Sequence, residues 1–408
     1  MNILVLAAQI PATSRMPGSP RLFNLCRYLS QHHRLSLISG CESRERYQQF
    51  SSDPGTRNVF QSLRVLPDAP VASWWNKQIH RVFQAPHFYT RYSKPSFYQS
   101  VRGIIREHLT FSPPVDLIYV DGLGMSQYVD NRRNIPVIVD LHDSMTLLYS
   151  RISRRERNIS KKLPIYLEKL SMARFERSLH KSCDLIITNS KVDEIIIKKL
   201  APVSNTLTIT NGVDVEYFSY PRESDDKYKL IFTGVMDYGP NEDAALYFGK
   251  EIFPLVKRTF PKAEFWVVGS GPSATILALA SQPGIYVTGR VDDVRPYLQT
   301  ASIFVCPLRY GAGMKNKILA AMAMGKPIVA TPLSLEGIDV RAGEEVLVAD
   351  SPEEFAQQVG RLLTDKKLVR RLGEEGRKLV KEKYSWSARG LVLESSLRNV
   401  AARHSNTN

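Results

Sequence analysis

At 408 residues the chain is too long for one ordinary domain and fits two of about 200 residues each, both large enough for a proper core. Its 43% hydrophobic and 23% charged residues are those of a folded globular protein, with no low-complexity tract beyond the tail AARHSNTN, which excludes a largely disordered chain. A formal net charge of +15 calls for an anionic partner. Nucleic acid, acidic lipid and phosphorylated small molecules all qualify, but no RNP-type aromatic run, zinc-finger spacing or basic zipper is present, which argues against nucleic acid.

The opening MNILVLAAQIP has no basic stretch ahead of its apolar run, and the run breaks at Gln9 and Pro11. It reads as a buried parallel strand, not a signal peptide. Similar runs bounded by Gly, Asp or Ser follow: RLSLISG, VDLIYVDG, IPVIVDLHD and CDLIITNS, then YKLIFTGV, AEFWVVGSG, GIYVTGR, SIFVCPL, KPIVATPL and EVLVAD. They alternate with amphipathic segments, so the predicted fold class is α/β, with two Rossmann-like, doubly wound parallel-sheet domains. Turn residues and the charged stretch RESDDK separate TITNGVDVEYFSYP from KYKLIFTG and mark the boundary. The predicted division is 1–218 and 219–385, with 386–408 a helix crossing back to the first domain and ending in a disordered tail.

No run reaches the ~20 apolar residues of a membrane span. The four cysteines, Cys26, Cys41, Cys183 and Cys306, lie in or beside apolar runs without CxxC spacing. They read as reduced core thiols of a cytosolic protein, not as disulfides or a zinc site.

In open sheets of this kind ligands bind outside the carboxyl ends of the strands, which directs attention to the residues just after each one. These are Gly18 to Arg21, His142 to Ser144, Asn189, Gly234 to Asn241, Gly269 to Pro272 and Arg290 to Asp293. Two basic regions stand apart. RISRRERNISKK, from Arg151 to Lys162, reads either as a solvated face or as a patch drawn to acidic lipid head groups, at about 1 kcal/mol per basic residue. WWNKQIHRVFQAPHFYTRYSKPSFY, from Trp74 to Tyr98, mixes rings with cations and suits a half-wet interface or ordinary packing equally.

FWVVGSGPSA satisfies G-x-G-x-x-A after a strand through Gly269, Gly271 and Ala274, a weak match to a dinucleotide fingerprint. The next strand ends in Arg290, not in the acidic residue that would hold a ribose, although an arginine there accepts a phosphate. The alternative is a tight strand-to-helix turn with Pro272 in the first helical turn.

GAGMKNKILAAMAMGKP, after the next strand, has the form of a pyrophosphate cradle. Gly311 and Gly313 let the backbone approach a ligand closely, and a helix starting near Met314 points its free amides at it. Lys315 and Lys317 add point charges and Arg309 a forked donor. Ile318, Leu319, Met322 and Ala323 form a buried helical face that Gly325 terminates. A surface loop with solvated lysines is the alternative.

FTGVMDYGPNEDAALYF, VVGSGP and VTGRVDDVRPYLQTASIFVCPLRYGAGMKNKILAAMAMGKPIVATPLSLEGI, with LHD and TNGVD…F earlier, resemble the retaining GT-B glycosyltransferases of family 4. The similarity is greatest to a bacterial subgroup tied to exopolysaccharide or surface-glycan assembly. The resemblance implies an acceptor-binding domain and a nucleotide-sugar-binding domain facing a cleft. It further implies a UDP- or GDP-type sugar donor, a glycan or lipid-linked acceptor at the inner membrane face, and neither metal nor cofactor. Gly18, Arg21, Arg309, Gly311, Ala312, Gly313, Met314, Lys315 and Lys317 then correspond to the donor-diphosphate site. Gly234, Met236, Arg290, Val291 and Ala320 correspond to the nucleoside site, and His142 to the histidine facing the donor sugar.

Departures from the pattern accompany the match. The family's two glutamates, separated by seven residues, fall near Gly311 or Ala312 and at Ala320, and its arginine and lysine after the first strand of the second domain fall at Met236 and about Asn241. Loss of the glutamate at 320 removes charge-assisted hydrogen bonds to a ribose, worth about 1.5–3 kcal/mol each. The competing readings are a catalytically weakened GT-B scaffold or partner subunit, a nucleotide-sugar epimerase on the same fold, and the dehydrogenase of the dinucleotide reading.

Overall fold

The computed structural model describes residues 1–11, 21–41, 44–67, 95–111, 114–129, 135–156, 158–219, 228–311 and 313–405. The chain divides into two compact units, residues 1–210 with 389–408 and residues 211–388. The division falls at Thr210 and not at 218 because Val213 N–H donates to Tyr384 O (2.8 Å) and Val213 bridges Ser385, tying this segment to the second unit. The RESDDK stretch expected at the boundary lies outside the described residues, as does the aromatic region from Trp74 as far as residue 94. The helix Trp386–Ser405 carries the chain back, its residues from Arg389 onward belonging to the first unit.

In the first unit, strands β1 (Asn2–Ala7), β2 (Arg34–Cys41), β3 (Ser62–Pro67), β4 (Leu117–Asp121), β5 (Val137–Asp140), β6 (Leu185–Thr188) and β7 (Thr206–Thr208) form one parallel sheet in the order β3-β2-β1-β4-β5-β6-β7. β4 and β5 are buried on both faces, as their unbroken apolar runs require. The edge strands β3 and β7 escape the sequence reading for the converse reason. SLRVLP pairs on one side and alternates with polar residues, and TLT is half-buried throughout.

The second unit repeats the plan with β8 (Lys229–Thr233), β9 (Glu264–Val268), β10 (Ile285–Val287), β11 (Ile303–Cys306), β12 (Ile328–Ala330) and β13 (Leu347–Val348), in the order β10-β9-β8-β11-β12-β13. All six were legible as apolar runs. Its core centres on Phe248, Phe253, Phe265 and Phe355, whose ring centroids lie 4.4–6.3 Å apart. Strand order reverses between β1 and β4 and between β8 and β11, the positions where such sheets open a crevice at their carboxyl ends. The four cysteines are buried and unpaired with one another.

Candidate functional site

In the first unit the carboxyl ends of β4 and β5 lie in register, Asp121 beside Asp140. Asp140 is fully buried and receives Arg21 Nε (2.9 Å) and Nη2 (3.2 Å), the Tyr119 hydroxyl (2.6 Å) and the His142 backbone N–H (3.2 Å). Burial alone would raise the Asp140 carboxyl, but Arg21, His142 and these hydrogen bonds outweigh it and hold it below its ordinary value. His142 follows β5 in a left-handed backbone conformation (φ 65°), which swings its ring back so that Nε2 meets Asp121 Oδ1 at 2.7 Å. Burial favours the neutral ring; Asp121, by charge and hydrogen bond, and Asp140, by charge, override it and raise His142 to about 9. The imidazole is thus a cation at neutral pH, one third exposed, on the C-terminal rim of the sheet.

Ser144, on the same rim, is structural: it caps the helix Met145–Arg155, and the buried Glu176 carboxylate accepts from Ser144 Oγ (3.1 Å) and Met145 N–H (2.7 Å). Desolvation pushes Glu176 up to about 7, against those hydrogen bonds. Arg21, expected at a donor diphosphate, opens the helix Arg21–Leu29 with its guanidinium sealed in the core on Asp140. Its fork is occupied by that carboxylate, so it is not presented to a phosphate. Gly18 lies outside the described residues.

In the second unit the loop after β11 has Gly311 at φ 131° and Gly313 at φ 70°, conformations that side chains disfavour; Ala312 lies outside the described residues. The helix that follows is Asn316–Ala323, two residues later than expected, and Gly325 ends it at φ 66°. The three loop cations point different ways. Arg309 forks onto Asp243 (3.0 and 2.7 Å) and lies over the Tyr247 ring at 4.2 Å, so its donors turn to the helix Gly239–Tyr247 and not to a phosphate. Lys315 is buried and donates to Gly313 O.

Lys317 takes a third course: its ammonium lies over the Phe232 ring (4.3 Å) and donates to Asn241 Oδ1 at 2.5 Å. A Cβ on Gly234 would sit 2.8 Å from both Lys317 Nζ and Asn241 Nδ2, so glycine at 234 makes room for this amine at the end of β8. Desolvation lowers Lys317 to about 8, with Lys315 adding repulsion and Cys306 opposing it. Asn241 stands about where the resemblance leads one to expect a lysine, and the Lys317 charge lies beside it, supplied from another helix.

Two further expectations need correction. Met236 is fully buried in the second core and its N–H donates to Ser270 O (2.7 Å), so it presents nothing to a nucleoside; Met314 is likewise buried. Pro272 precedes the N-cap Ser273 of a four-residue helix, Ala274–Leu277, and so lies outside its first turn. The neighbouring Gly269 instead serves a close approach, since a Cβ there would fall 1.8 Å from Gly234 O. Arg290 is exposed beyond β10, Val291 packs against the core, and Ala320 is half-buried on its helix.

Asp121 and Asp140 carry no signal among the residues that follow the strands because each is the last residue of its own, and Tyr119 lies within one. Among the described residues no group of three or more His, Cys, Asp and Glu side chains is placed to hold a metal ion, and no helix is long and apolar enough to cross a membrane.

Family models match each half of the chain: "Glycosyltransferase Family 4" over residues 20–217 and "Glycosyl transferases group 1" over residues 227–365. The uncharacterized glycosyltransferase MJ1069 of Methanocaldococcus jannaschii is 26% identical over 226 residues, 51% of this chain and 56% of that protein. The chain spans little more than half the length of the curated relatives it matches. Among solved structures, sucrose-phosphate synthase of Thermosynechococcus elongatus superposes with a TM-score of 0.70 at 14% identity, covering 99% of this chain and 100% of that one. Anabaena HepE, solved in complex with UDP, superposes at 0.64 and 13%, covering 98% and 100%. With a glycosyltransferase model matched to each unit and the two-sheet fold shared along nearly its whole length, the chain belongs to the GT-B glycosyltransferases of family 4.

Proposed function

We propose that the protein transfers a sugar from a UDP- or GDP-type nucleotide sugar to a glycan or lipid-linked acceptor, with retention of anomeric configuration and without a metal, in the assembly of a cell-surface polysaccharide at the inner membrane face. The observation that carries this reading is Lys317, whose ammonium stands beside Gly234 and Asn241 at the carboxyl end of β8, next along the chain from a glycine loop. Breaking the bond between anomeric carbon and phosphate leaves a nucleoside diphosphate, and a preorganised cation and helix N-terminus stabilise that charge. The UDP complex of HepE and the surface-glycan resemblance of the sequence support the donor class and the setting. His142, a second cation, is assigned to the donor sugar or the departing phosphate.

The decisive experiment incubates the protein with a panel of nucleotide sugars and follows nucleotide binding and diphosphate release. Silence in both, shared by Ala320→Glu, would sink the transferase reading and point to a non-catalytic role. In an active protein Ala320→Glu restores a carboxylate for the ribose and is expected to tighten nucleoside diphosphate binding about 10- to 100-fold. Unchanged affinity in calorimetry would show that the ribose does not lie against position 320.

Lys317 adds a test of its own. Near its value of about 8 the amine is half neutral, and an arriving diphosphate favours the charged form. UDP binding at that pH is therefore expected to take up protons, measured as heats that differ between buffers of different ionisation enthalpy. The uptake disappears in Lys317→Met; if it persists there, another group is protonated.

A further inference from the structure

The helix Ile159–Ser178 in the first unit is apolar on two opposite faces, and only one of them is buried. Met172 and Phe175 pack into or against the first core. On the other side Ile159, Leu163, Tyr166, Leu167 and Leu170 are 45–82% exposed. At the helical repeat these five fall within an arc of about 100°, an unbroken stripe three turns long. Scattered exposed apolar residues need no account, but a contiguous stripe on one helix marks an interaction surface.

Charge identifies the occupant. Lys162 and Lys169 flank the stripe on one side, and Arg174 and Arg177 continue its line beyond Leu170; Lys162, Arg174 and Arg177 are exposed, as is Arg154 at the end of the neighbouring helix Met145–Arg155. Lys169 also lies 5.5 Å from the Tyr166 ring centroid. The helix carries two carboxylates and neither is on this face. Glu176 is fully buried, and Glu168 lies about 180° round from Ile159, half-buried. A protein partner of ordinary composition would meet this face with acidic groups at chosen points. An apolar band with long, flexible cations along one edge and in line beyond its end instead fits an interface with hydrocarbon below and anionic head groups alongside.

We propose that the exposed face of helix Ile159–Ser178 is the surface by which this protein lies on an anionic lipid membrane, the apolar stripe entering the head-group boundary and the neighbouring lysines and arginines meeting lipid phosphates. The basic run from Arg151 to Lys162 accounts for only its edge; the contact extends along the helix to Arg177. The proposal goes beyond the transfer reaction and does not depend on it.

The full-length protein is sedimented with vesicles of phosphatidylcholine alone and of phosphatidylcholine mixed with phosphatidylglycerol, without donor or acceptor. Binding to the anionic vesicles is expected, weakening as salt rises. The triple variant Leu163→Ser, Leu167→Ser, Leu170→Ser and, separately, the pair Lys162→Glu, Arg177→Glu should each lower it about tenfold or more. Unchanged circular dichroism and UDP affinity establish that the variants remain folded. No vesicle binding by the parent protein, equal binding by the leucine variant, or a concentration-dependent dimer abolished by that variant without any vesicle binding would overturn the proposal. Failure with UDP binding intact would leave the transferase reading standing.

Discussion

Asp140→Ala is expected to destabilise the first unit by about 3–5 kcal/mol, because it strands a guanidinium in the core. Arg21 and Asp140 are 1% and 0% exposed, and arginine cannot shed its proton to escape the cost. The aspartate also anchors the Tyr119 hydroxyl and the N–H of His142, so one deletion orphans donors on three elements. Tyr119→Phe removes a single hydrogen bond to a charge and should cost less, about 1.5–3 kcal/mol. Replacing both ions, Arg21→Met with Asp140→Leu, should recover most of the loss, since well-packed apolar pairs often match a buried ion pair in stability. A chain of two compact units need not melt in a single transition, so hydrogen exchange at the amides of β4 and β5 is the measure. A loss under about 1 kcal/mol for Asp140→Ala would mean that water or a neighbour rescues the guanidinium. The pairing resists acid: with the folded carboxyl below its ordinary value of 3.8, its contribution is complete above that pH and declines only as the pH falls through the lower folded value.

What could be read from the sequence, and what could not, follows from where each signal resides. Central strands such as VIVD and KLIFT announce themselves because burial on both faces demands unbroken apolar residues. The glycines of the loop at Gly311 and Gly313 were legible because positive φ selects that residue. Side-chain direction left no such trace. Arg309, Lys315 and Lys317 lie within nine residues of one another, yet one salt-bridges a helix, one folds onto its own loop and one crosses to Asn241. Arg21 follows the same logic in reverse: a cation after the first strand suggests an anion-binding role, and only the three-dimensional position of Asp140, 119 residues away in sequence, shows the fork already occupied. The stripe on helix Ile159–Ser178 was hidden because two apolar faces on one helix cancel the periodic contrast by which a single buried face is recognised.

Asp121→Asn is expected to lower the pKa of His142 from about 9 toward its ordinary 6.5, leaving about a quarter of the rings charged at pH 7 and reducing turnover there about fourfold, whereas removing the cation outright in His142→Asn should reduce it by about 100-fold. The ring keeps a hydrogen-bond partner in Asp121→Asn but loses the anion that holds its proton, and the remaining influences are opposed: Asp140 favours the cation, burial and Arg21 the neutral ring. His142→Asn is the companion variant, since asparagine tolerates the left-handed backbone at this position while removing the imidazole. Folding follows the same linkage. Because the folded value lies above the unfolded one, the stability contributed by the pair is complete below pH 6.5 and is lost as the pH rises through about 9. Activity alone would be ambiguous, because Lys317 titrates near 8 and imposes its own alkaline decline. The imidazole is therefore followed directly by NMR, with activity compared at a pH where Lys317 is charged in every variant. A parent resonance titrating near 6.5 would end the idea of a held imidazolium. A resonance that drops in Asp121→Asn while turnover stays unchanged would show that the charge exists but that the reaction makes no use of it.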